Sequence, residues 1–386
     1  MDSRTIKILY LIDYFHRTGG TEKHLSQLID GLSGTFVCAV VVFDMGSNAL
    51  LDGLRARGVP IVNLPVGREY VPHAAVQAWR LAKLIRRERY DIVQTFHQKA
   101  DTYGALIAWL AGARHLISSK RDTGEFRKRL HVFVNRRLRS LFDAFIAVAE
   151  GVRAAVVARD HLPPARVRTI YNGVDTTRFV VPSAAQRAAA RERFGFGGSD
   201  FVVGMVARFR PEKNHDIFFA GLQQVLPLIP SLRVLAVGDG PLHATFREQL
   251  AASDLGSRTI FTGAVDDVLA CLWALDVGCL TPGSNEGFSN AVIEQMAIGL
   301  PMIVTAVGGN AEAVRDGENG YVIAPRDAAA LGRALTALHG DPARAAVMGR
   351  ASRLRTEQKF SLQRMCAAHA DLYLTLCGRR SPGEVQ

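Results

Sequence analysis

Residues 281–301 read TPGSNEGFSNAVIEQMAIGLP, which predicts a loop that leads into a helix. Pro282 and Gly283 end the apolar run before them. Ser289 or Asn290 would make a good N-cap, because either side chain can accept a hydrogen bond from the first helical turn. A helix that begins there leaves free backbone N–H groups next to the positive end of its dipole, so this stretch is a candidate anion site.

Two carboxylates flank the predicted helix start. Glu286 lies in the loop, Glu294 lies more than one turn inside the helix, and the amides of residues 287–290 stand between them. A nucleotide sugar would fit this layout, with the sugar at Glu286, the diphosphate on the amides and the ribose at Glu294. The alternative is ordinary capping and solvation of two surface glutamates.

The size and composition of the chain set the limits for its fold. A chain of 386 residues is long enough for two domains of ordinary size. Its 48% hydrophobic and 22% charged residues are typical of a globular protein. No apolar run approaches the ~20 residues that cross a bilayer, and the N-terminus lacks a signal-peptide pattern. The five cysteines are scattered, so we expect neither a disulfide framework nor a zinc site, and a reducing cytoplasm suits them.

The chain is strongly basic. Its formal net charge is +11, from 47 Lys and Arg against 36 Asp and Glu, and its isoelectric point is near 9.7. This balance indicates an anionic partner, such as a nucleotide, a nucleic acid or the negatively charged inner leaflet of a membrane. A generally basic soluble protein is the alternative. No nucleic-acid-binding module is recognisable, so we do not expect a nucleic-acid partner.

Short apolar runs rich in β-formers alternate with segments of helical length along the chain. The predicted strands are 6–12, 36–42, 59–64, 92–96, 115–118, 144–148, 201–207, 232–237, 259–261, 277–280 and 302–304. This alternation predicts an α/β protein with parallel sheets and helices on both faces. Ligands of such folds bind at the carboxyl ends of the strands.

Two candidate site segments follow predicted strands in the first half. Gly19, Gly20 and Glu22 form a turn between a strand and a helix, where a backbone without Cβ atoms can approach a phosphate or a sugar, unless it is a mere tight turn. The turn lacks the third glycine of G-x-G-x-x-G, which argues against a nicotinamide site. His97 directly follows the strand 92–96 and is therefore placed where substrates bind, although a lone histidine is more often structural.

The segment 127–142 predicts an amphipathic helix. Apolar residues recur at helical spacing beside a face rich in arginine, as in helices that lie in a membrane interface. The alternative is a surface helix that uses its apolar stripe for its own core.

In the second half, Arg208 and Lys213 follow the strand 201–207. Two cations at the carboxyl end of a strand could neutralise a diphosphate leaving group, whereas a solvated basic loop is the usual meaning of such a pair. The Ala- and Arg-rich segment 182–193 lacks β character, and we place the linker between the domains there.

The stretch EGFSNAVIEQMAIGLP, with its Glu, seven residues, Glu pattern, resembles the signature of the family 4 (group 1) retaining glycosyltransferases. The resemblance implies the GT-B fold, in which two Rossmann-like parallel-sheet domains face an interdomain cleft. The glycine turn at Gly19, the strand-then-His segment at His97, the Arg208 to Lys213 segment and the turn at Gly238 are similar to segments of the same family. Ala207, Gly283 and Gln295 depart from its usual pattern.

The resemblance also assigns roles. Glu286 would position the hydroxyls of the donor sugar, Arg208 and Lys213 would stabilise the departing diphosphate, and Glu294 would hold the ribose. His97 would contact the donor sugar, with Gly19 and Gly20 brought over the donor by domain closure. The implied substrate-binding residues are Gly19, Gly20, Glu22, Gly238, Gly287, Phe288, Ser289, Asn290 and Glu294.

The implied domains are an N-terminal acceptor-side domain (1–180), a nucleotide-sugar-binding domain (181–358) and a final segment (359–386) whose helix crosses back to the first domain. The implied activity is transfer of a hexosyl group, with retention, from a nucleoside diphosphate sugar, UDP favoured, to a hydroxyl of an envelope glycan, lipopolysaccharide or glycolipid. Neither a metal nor another cofactor is expected. A nucleotide-sugar epimerase and a noncatalytic nucleotide-sugar-binding protein are the alternatives. We expect a cytoplasmic protein with a glycan or lipid-linked acceptor, and peripheral binding to an anionic membrane through 127–142.

Overall fold

The computed structural model describes residues 5–15, 19–67, 72–125 and 129–379. The chain divides into two compact units. Unit 1 comprises Met1–Gly173 and Leu362–Gln386, and unit 2 comprises Val174–Ser361. Each unit is built around its own parallel β-sheet, and the two are described in turn.

The described residues of unit 1 form a seven-stranded parallel sheet. Its strands are β1 (Ile6–Ile12), β2 (Phe36–Val42), β3 (Ile61–Asn63), β4 (Ile92–Phe96), β5 (His115–Lys120), β6 (Ala144–Ala147) and β7 (Val167–Thr169). They lie in the order β3-β2-β1-β4-β5-β6-β7, and Ile8 of β1 pairs with both Cys38 and Ile92. β1 and β4 are almost wholly buried, because both faces of the sheet are covered by helices.

Helices connect these strands. They are α1 (Gly20–Gly31), α2 (Ala49–Ala56), α3 (Pro72–Glu88), α4 (Ala105–Leu110), α5 (Arg129–Leu138) and α6 (Glu150–Asp160). Crossovers between parallel strands are right-handed, and the chain moves in one direction across the sheet from β1 to β3 and in the other from β3 to β7. Consequently α1 and α2 cover one face of the sheet, while α3, α4, α5 and α6 cover the other.

The described residues of unit 2 form a six-stranded parallel sheet in the order β10-β9-β8-β11-β12-β13. Its strands are β8 (Phe201–Val206), β9 (Leu232–Val237), β10 (Thr259–Gly263), β11 (Val277–Leu280), β12 (Met302–Thr305) and β13 (Gly320–Ile323). Its helices are α7 (Ala184–Arg193), α8 (His215–Val225), α9 (His243–Leu250), α10 (Asp254–Ser257), α11 (Leu269–Trp273), α12 (Asn290–Ala297), α13 (Asn310–Ala313), α14 (Ala328–Gly340) and α15 (Pro342–Lys359). The predicted α/β class with two parallel sheets is confirmed.

The linker predicted at 182–193 is wrong, because most of this segment is helix α7. Alanine and arginine are strong helix formers, and Ser183 begins the helix with a capping box that it forms with Gln186. In the last turn of the helix, Arg191 donates to Asp276 at 2.5 Å. The segment is therefore an integral part of unit 2.

The last helix of the chain, α16 (Leu362–Leu376), belongs to unit 1 and packs against α1. Its Tyr373 is fully buried and donates a 2.5 Å hydrogen bond to Gln94 of β4, whose amide nitrogen donates to Ser119. These contacts join the C-terminal helix to the centre of the first sheet.

Candidate active site

In unit 2, β8 and β11 are neighbours at the centre of the sheet. From β8 the chain moves outward to β9 and β10, and it then returns to the other side of β8 as β11. The loops after β8 and β11 therefore leave the sheet in opposite directions. In open α/β sheets, ligands bind in the crevice at such a switch in strand order. The predicted site residues Lys213 and Glu286 belong to these two loops.

The structure brings Lys213 and Glu286 together. Lys213 ends a short 3₁₀ turn, Pro211–Lys213, and its Nζ lies 2.5 Å from Glu286 Oε2. The lysine side chain is 23% exposed and the glutamate side chain 11% exposed. A pair at this depth interacts more strongly than a surface pair, because less water screens the two charges. Both groups still reach the surface and so are accessible to a ligand.

The loop that carries Glu286 is fixed against the Lys213 loop by backbone contacts. The Gly283 N–H donates to the Glu212 carbonyl at 3.0 Å, and the Thr281 hydroxyl donates to the Asn214 carbonyl at 3.2 Å. A Cβ on Gly283 would lie only 2.6 Å from the Asn214 side chain. The glycine that departs from the family pattern therefore permits this close approach.

A second glycine segment holds the same loop from the other side. Gly309 N–H donates to the Gly287 carbonyl at 2.7 Å, and the Thr305 hydroxyl donates to the Pro282 carbonyl at 2.7 Å. Gly308 has φ +55°, and a Cβ there would overlap the carbonyl oxygen of Glu286. The backbone at Glu286 is thus held between two loops.

Helix α12 begins where the sequence predicts. Ser289 is its N-cap in extended conformation, and within the described part of the chain its side chain makes no capping hydrogen bond. Glu294, in the second turn, is 7% exposed. Phe288 is buried, with its ring centroid 5.1 Å from that of Phe360, so its share in substrate binding would rest on its backbone.

Arg208 and Gly238 follow the neighbouring strands β8 and β9. A Cβ on Gly238 would overlap the Ala207 carbonyl, so the two strand ends approach closely. Arg208 is half-buried in the loop that leads to Lys213. Gly238, Arg208 and Lys213 therefore belong to the same carboxyl edge of the sheet.

A histidine that is not among the predicted site residues follows Lys213 by two residues. His215 is buried and stacks on Phe209 with ring centroids 4.0 Å apart. Neither of its ring nitrogens has a hydrogen-bond partner among the described residues. Burial lowers the pKa of His215 to about 3, and the positive charge of Lys213 adds to the shift. The ring therefore stays neutral beside the cation.

In unit 1 the switch in strand order lies between β1 and β4, the strands that precede Tyr14 and His97. The two rings stack with centroids 4.5 Å apart. His97 has φ +74°, an unusual backbone conformation for a residue with a side chain, and such conformations concentrate at functional sites. Burial lowers the pKa of His97 to about 4, and nearby Arg121 adds to the shift. His97 is a neutral imidazole at neutral pH.

Asp13, which is not among the predicted site residues, holds the His97 loop in place. Its carboxylate accepts the backbone N–H of Lys99 at 2.8 Å and that of Ala100 at 2.6 Å. Burial raises the pKa of Asp13 to about 7, although these two hydrogen bonds oppose the shift. In the sequence, Asp13 could have been recognised because it is an acidic residue directly after a predicted buried strand.

The predicted glycine turn is described from Gly19 onward, and residues 16–18 lie outside the described residues. Gly19 is the N-cap of α1, and Glu22 is 3% exposed in its first turn. A Cβ on Gly19 would overlap the Glu22 carboxylate. Burial lowers the pKa of Arg121, while the Glu22 and Asp122 carboxylates oppose the shift. The positive charge of this guanidinium is therefore partly compensated by two nearby carboxylates.

Among the described residues, no group of three or more His, Cys, Asp or Glu side chains is arranged to hold a metal ion. Likewise, no described helix combines the length and apolar character that a membrane crossing requires.

The chain has two parallel-sheet units, each with candidate site residues at its switch point. This architecture identifies it as a protein of the GT-B fold. The crystal structure of Anabaena Alr3699/HepE in complex with UDP matches with a TM-score of 0.86 and 21% identity, over 96% of this chain and 100% of that chain. WaaG, a glycosyltransferase involved in lipopolysaccharide biosynthesis, matches with a TM-score of 0.72 and 14% identity, over 95% and 99% of the two chains. These likenesses show the fold.

Sequence comparison identifies the family. The model described as Glycosyltransferase Family 4 matches residues 18–178, and that described as Glycosyl transferases group 1 matches residues 186–355. The GDP-mannose-dependent alpha-(1-6)-phosphatidylinositol monomannoside mannosyltransferase of Mycolicibacterium smegmatis is 30% identical over 97% of this chain and 98% of its own. The UDP-Gal:alpha-D-GlcNAc-diphosphoundecaprenol alpha-1,3-galactosyltransferase of Escherichia coli is 27% identical over 77% and 78%. The chain belongs to the family 4 (group 1) glycosyltransferases.

Proposed function

We propose that the protein transfers a hexosyl group from a nucleoside diphosphate sugar to a hydroxyl acceptor, with retention at the anomeric carbon and without a metal ion. The observation that carries the proposal is the Lys213–Glu286 pair at the switch point of unit 2, beside the N-terminus of α12. A cation, a carboxylate and the N-terminus of a helix are the groups that a sugar diphosphate needs.

In the proposed reaction the diphosphate leaves with growing negative charge. Lys213 and Arg208 would stabilise that charge, the role that a divalent cation serves in other enzymes. A bound diphosphate would replace Glu286 as the partner of Lys213. The released Glu286 carboxylate would then accept hydrogen bonds from the sugar hydroxyls and hold the anomeric carbon in place.

The rest of the donor would lie along the start of α12. The backbone amides at Gly287, Ser289 and Asn290, which lie just before and at the start of α12, would contact the diphosphate, with the helix dipole favouring its charge. Glu294 would accept hydrogen bonds from the ribose hydroxyls, and the turn at Gly238 would leave room for the nucleotide. Retention follows from the family resemblance.

In unit 1 we propose that His97 contacts the donor sugar and that Gly19, Gly20 and Glu22 contribute to substrate binding. The stacking of His97 on Tyr14 and the Asp13 hydrogen bonds to Lys99 and Ala100 would fix the imidazole for this purpose. A neutral imidazole can both donate to and accept from a sugar hydroxyl.

The carrier nucleotide is proposed to be UDP or GDP. The family resemblance favours UDP, whereas the M. smegmatis relative, which aligns over nearly the whole chain, is named for GDP-mannose. The names of the relatives also include lipid-linked acceptors. We therefore propose an acceptor from envelope glycan, lipopolysaccharide or glycolipid synthesis, used at the cytoplasmic side of the membrane.

A panel of UDP- and GDP-sugars tests this function by thermal stabilisation, because a ligand that binds only the folded state raises the unfolding temperature. The stabilising donor is then incubated with an acceptor panel, and the anomeric configuration of the product is read by NMR in the presence and absence of EDTA. We expect transfer with retention, unaffected by EDTA. Conversion of the donor alone would indicate an epimerase, and binding without turnover a noncatalytic binding protein. The absence of stabilisation by any nucleotide sugar would contradict the proposal.

Membrane association through residues 127–142 also stays a proposal. In the structure, some of the residues on which it was based have other contacts. Arg127 and Lys128 lie outside the described residues. Arg136 and Arg139 donate to the carbonyls of Arg159 and His161 at the end of α6, so they stabilise that helix end. Leu130 and Phe133 are exposed, whereas Phe142 is buried. The apolar stripe is thus divided between the core and the surface.

A further inference from the structure

Three helices of unit 1 expose large apolar side chains at the surface. On α3 and α4 these include both tryptophans of the unit, Trp79 at 62% and Trp109 at 51% exposure. The others on these helices and α5 are Val76, Leu106, Leu110, Leu130 and Phe133, all at least 41% exposed. Apolar side chains that cluster in this way mark an interaction surface.

The three helices lie side by side on the same face of the sheet. Arg86 of α3 donates to the Leu110 carbonyl at the end of α4 at 3.2 Å. Gln98, which follows β4 and precedes α4, donates to Asn135 of α5 at 2.9 Å. The helices α3, α4 and α5 are therefore neighbours, and their exposed side chains are together called here the tryptophan face.

The tryptophan face is also basic. On α3, Val76, Trp79, Lys83 and Arg86 recur at helical spacing and share one side, and Lys83 Nζ lies 5.0 Å from the Trp79 ring centroid. On α5, the Arg137 guanidinium lies 5.1 Å from the Phe133 ring centroid. Each of these cations therefore lies over the face of an exposed apolar ring.

Acidic residues are scarce on this face. Helices α3 and α5 carry seven Lys or Arg residues and one glutamate, Glu88, which is paired with Arg87. The short α4 carries neither acids nor bases. Tryptophan with cationic neighbours is the composition that favours the headgroup level of an anionic bilayer, where rings enter the interface and cations bind lipid phosphates.

We propose that the tryptophan face docks unit 1 on the surface of an anionic lipid bilayer, with Trp79 and Trp109 inserted at headgroup level. This inference deepens the proposed function by naming the surface that presents a membrane-borne acceptor. The binding itself needs neither donor nor acceptor. A failure of vesicle binding and a failure of sugar transfer are therefore separate results.

The test uses the full chain with vesicles of phosphatidylcholine, with and without phosphatidylglycerol, in a co-flotation assay. We expect binding to the anionic vesicles that weakens as salt is added, because screening shortens the reach of the charges. Trp79→Ser with Trp109→Ser should lower the partition coefficient by about tenfold or more, since two large apolar side chains are lost from the interface. Arg80→Glu with Lys83→Glu should abolish binding at physiological salt.

The chain offers matched controls. Leu228 and Leu354 of unit 2 are 64% and 54% exposed, so Leu228→Ser with Leu354→Ser removes exposed apolar side chains elsewhere and should leave vesicle binding unchanged. Fluorescence gives a second readout, because the third tryptophan, Trp273, is held in unit 2 by a hydrogen bond to Val180. Vesicles should shift the wild-type emission to the blue but not that of a Trp79→Phe, Trp109→Phe variant.

Circular dichroism and unfolding temperature must show that each variant is folded. Absence of wild-type binding to anionic vesicles would overturn the inference, and so would equal binding by the folded tryptophan-to-serine variant. Self-association of the wild type in sedimentation velocity, lost in that variant and unaccompanied by vesicle binding, would assign the face to a second copy of the chain instead.

Discussion

Lys213 Nζ lies 2.5 Å from Glu286 Oε2, although 73 residues of sequence separate them. The pair joins the loops after β8 and β11 at the switch point of the second sheet. Each charge compensates the other where both are largely withdrawn from water. An anionic ligand that competes for Lys213 would at the same time free Glu286, so the proposed function predicts that binding of phosphate and binding of sugar are coupled at this pair.

The first prediction concerns turnover. Lys213→Met should lower kcat by about 10²–10³, the loss typical when a charge-stabilising group at a developing anion is removed. Glu286→Gln should also lower kcat, and the double variant should lose less than the product of the two single losses, because the residues act on one another. Initial rates with saturating donor provide the measurement.

Arg210→Ala is the matched control, because Arg210 is a cation in the same loop whose side chain makes a surface contact of 3.8 Å to Glu212. It should keep turnover close to the wild-type value. A Lys213→Met enzyme that turns over as fast as Arg210→Ala would refute the role of Lys213.

The second prediction concerns the glycine that supports Glu286. Gly308→Ala and Gly317→Ala both place a Cβ at positive φ, +55° and +72°, but only at Gly308 would the Cβ overlap another group, the Glu286 carbonyl. Gly317→Ala should therefore cost about 1–2 kcal/mol of unfolding free energy from backbone strain. Gly308→Ala should cost about 1–3 kcal/mol more from overpacking.

Urea unfolding of both variants measures these costs, and the donor affinity of the two folded proteins gives an independent readout. We expect weaker donor binding by Gly308→Ala alone, because its clash displaces the loop that carries Glu286. Equal stability and equal donor affinity of the two variants would show that the close approach is unimportant.

The third prediction concerns pH. The pKa of His215 is about 3 in the folded state, below its ordinary value, so the unfolded state binds more protons between about pH 3 and pH 6.5. The contribution of this group is present above pH 6.5 and is lost as the pH falls through that window. His215→Phe keeps the stacking on Phe209 and removes the titration.

The unfolding free energy of His215→Phe should therefore depend less on pH than that of the wild type, by up to about 1.4 kcal/mol per pH unit in this window. Above pH 7 the two curves should run parallel. Urea unfolding at several pH values gives both curves, and curves that remain parallel down to pH 4 would disprove the assignment to His215.

The fourth prediction concerns a buried ion pair in unit 1. Lys120 Nζ lies 2.7 Å from Asp101 Oδ2, both side chains are at most 5% exposed, and Asp101 Oδ1 also accepts from Ser118 at 2.6 Å. Lys120→Met leaves the carboxylate buried without its cation and should cost about 3–5 kcal/mol of unfolding free energy. Adding Asp101→Asn should recover much of that loss, because the uncompensated charge is gone.

Arg55→Met is the control, since Arg55 and Asp52 form a pair with side chains 47% and 65% exposed. Its removal should cost less than about 1 kcal/mol. Guanidinium unfolding of the four proteins makes the comparison, and a loss for Lys120→Met no greater than that for Arg55→Met would contradict the prediction.

Much of the fold could be predicted from local patterns. The alternation of apolar strands and helical segments predicts two parallel sheets, and the start of α12 follows from Pro282, Gly283 and Ser289. β7 and β13 were missed, because strands of three and four residues at a sheet edge carry little pattern of their own. The linker prediction failed at α7, because absence of β character was interpreted as absence of structure.

The α/β class, the family resemblance and the residue types that follow each strand can be predicted from the sequence, because hydrophobic periodicity and turn chemistry act over a few neighbouring residues. Which of those residues meet depends on how the chain folds. In the folded protein Lys213 pairs with Glu286, Asp13 accepts a hydrogen bond from the backbone of Lys99, and Trp79 and Trp109 are exposed at the surface. Contacts between segments far apart in the chain depend on strand order and packing, which no local pattern records.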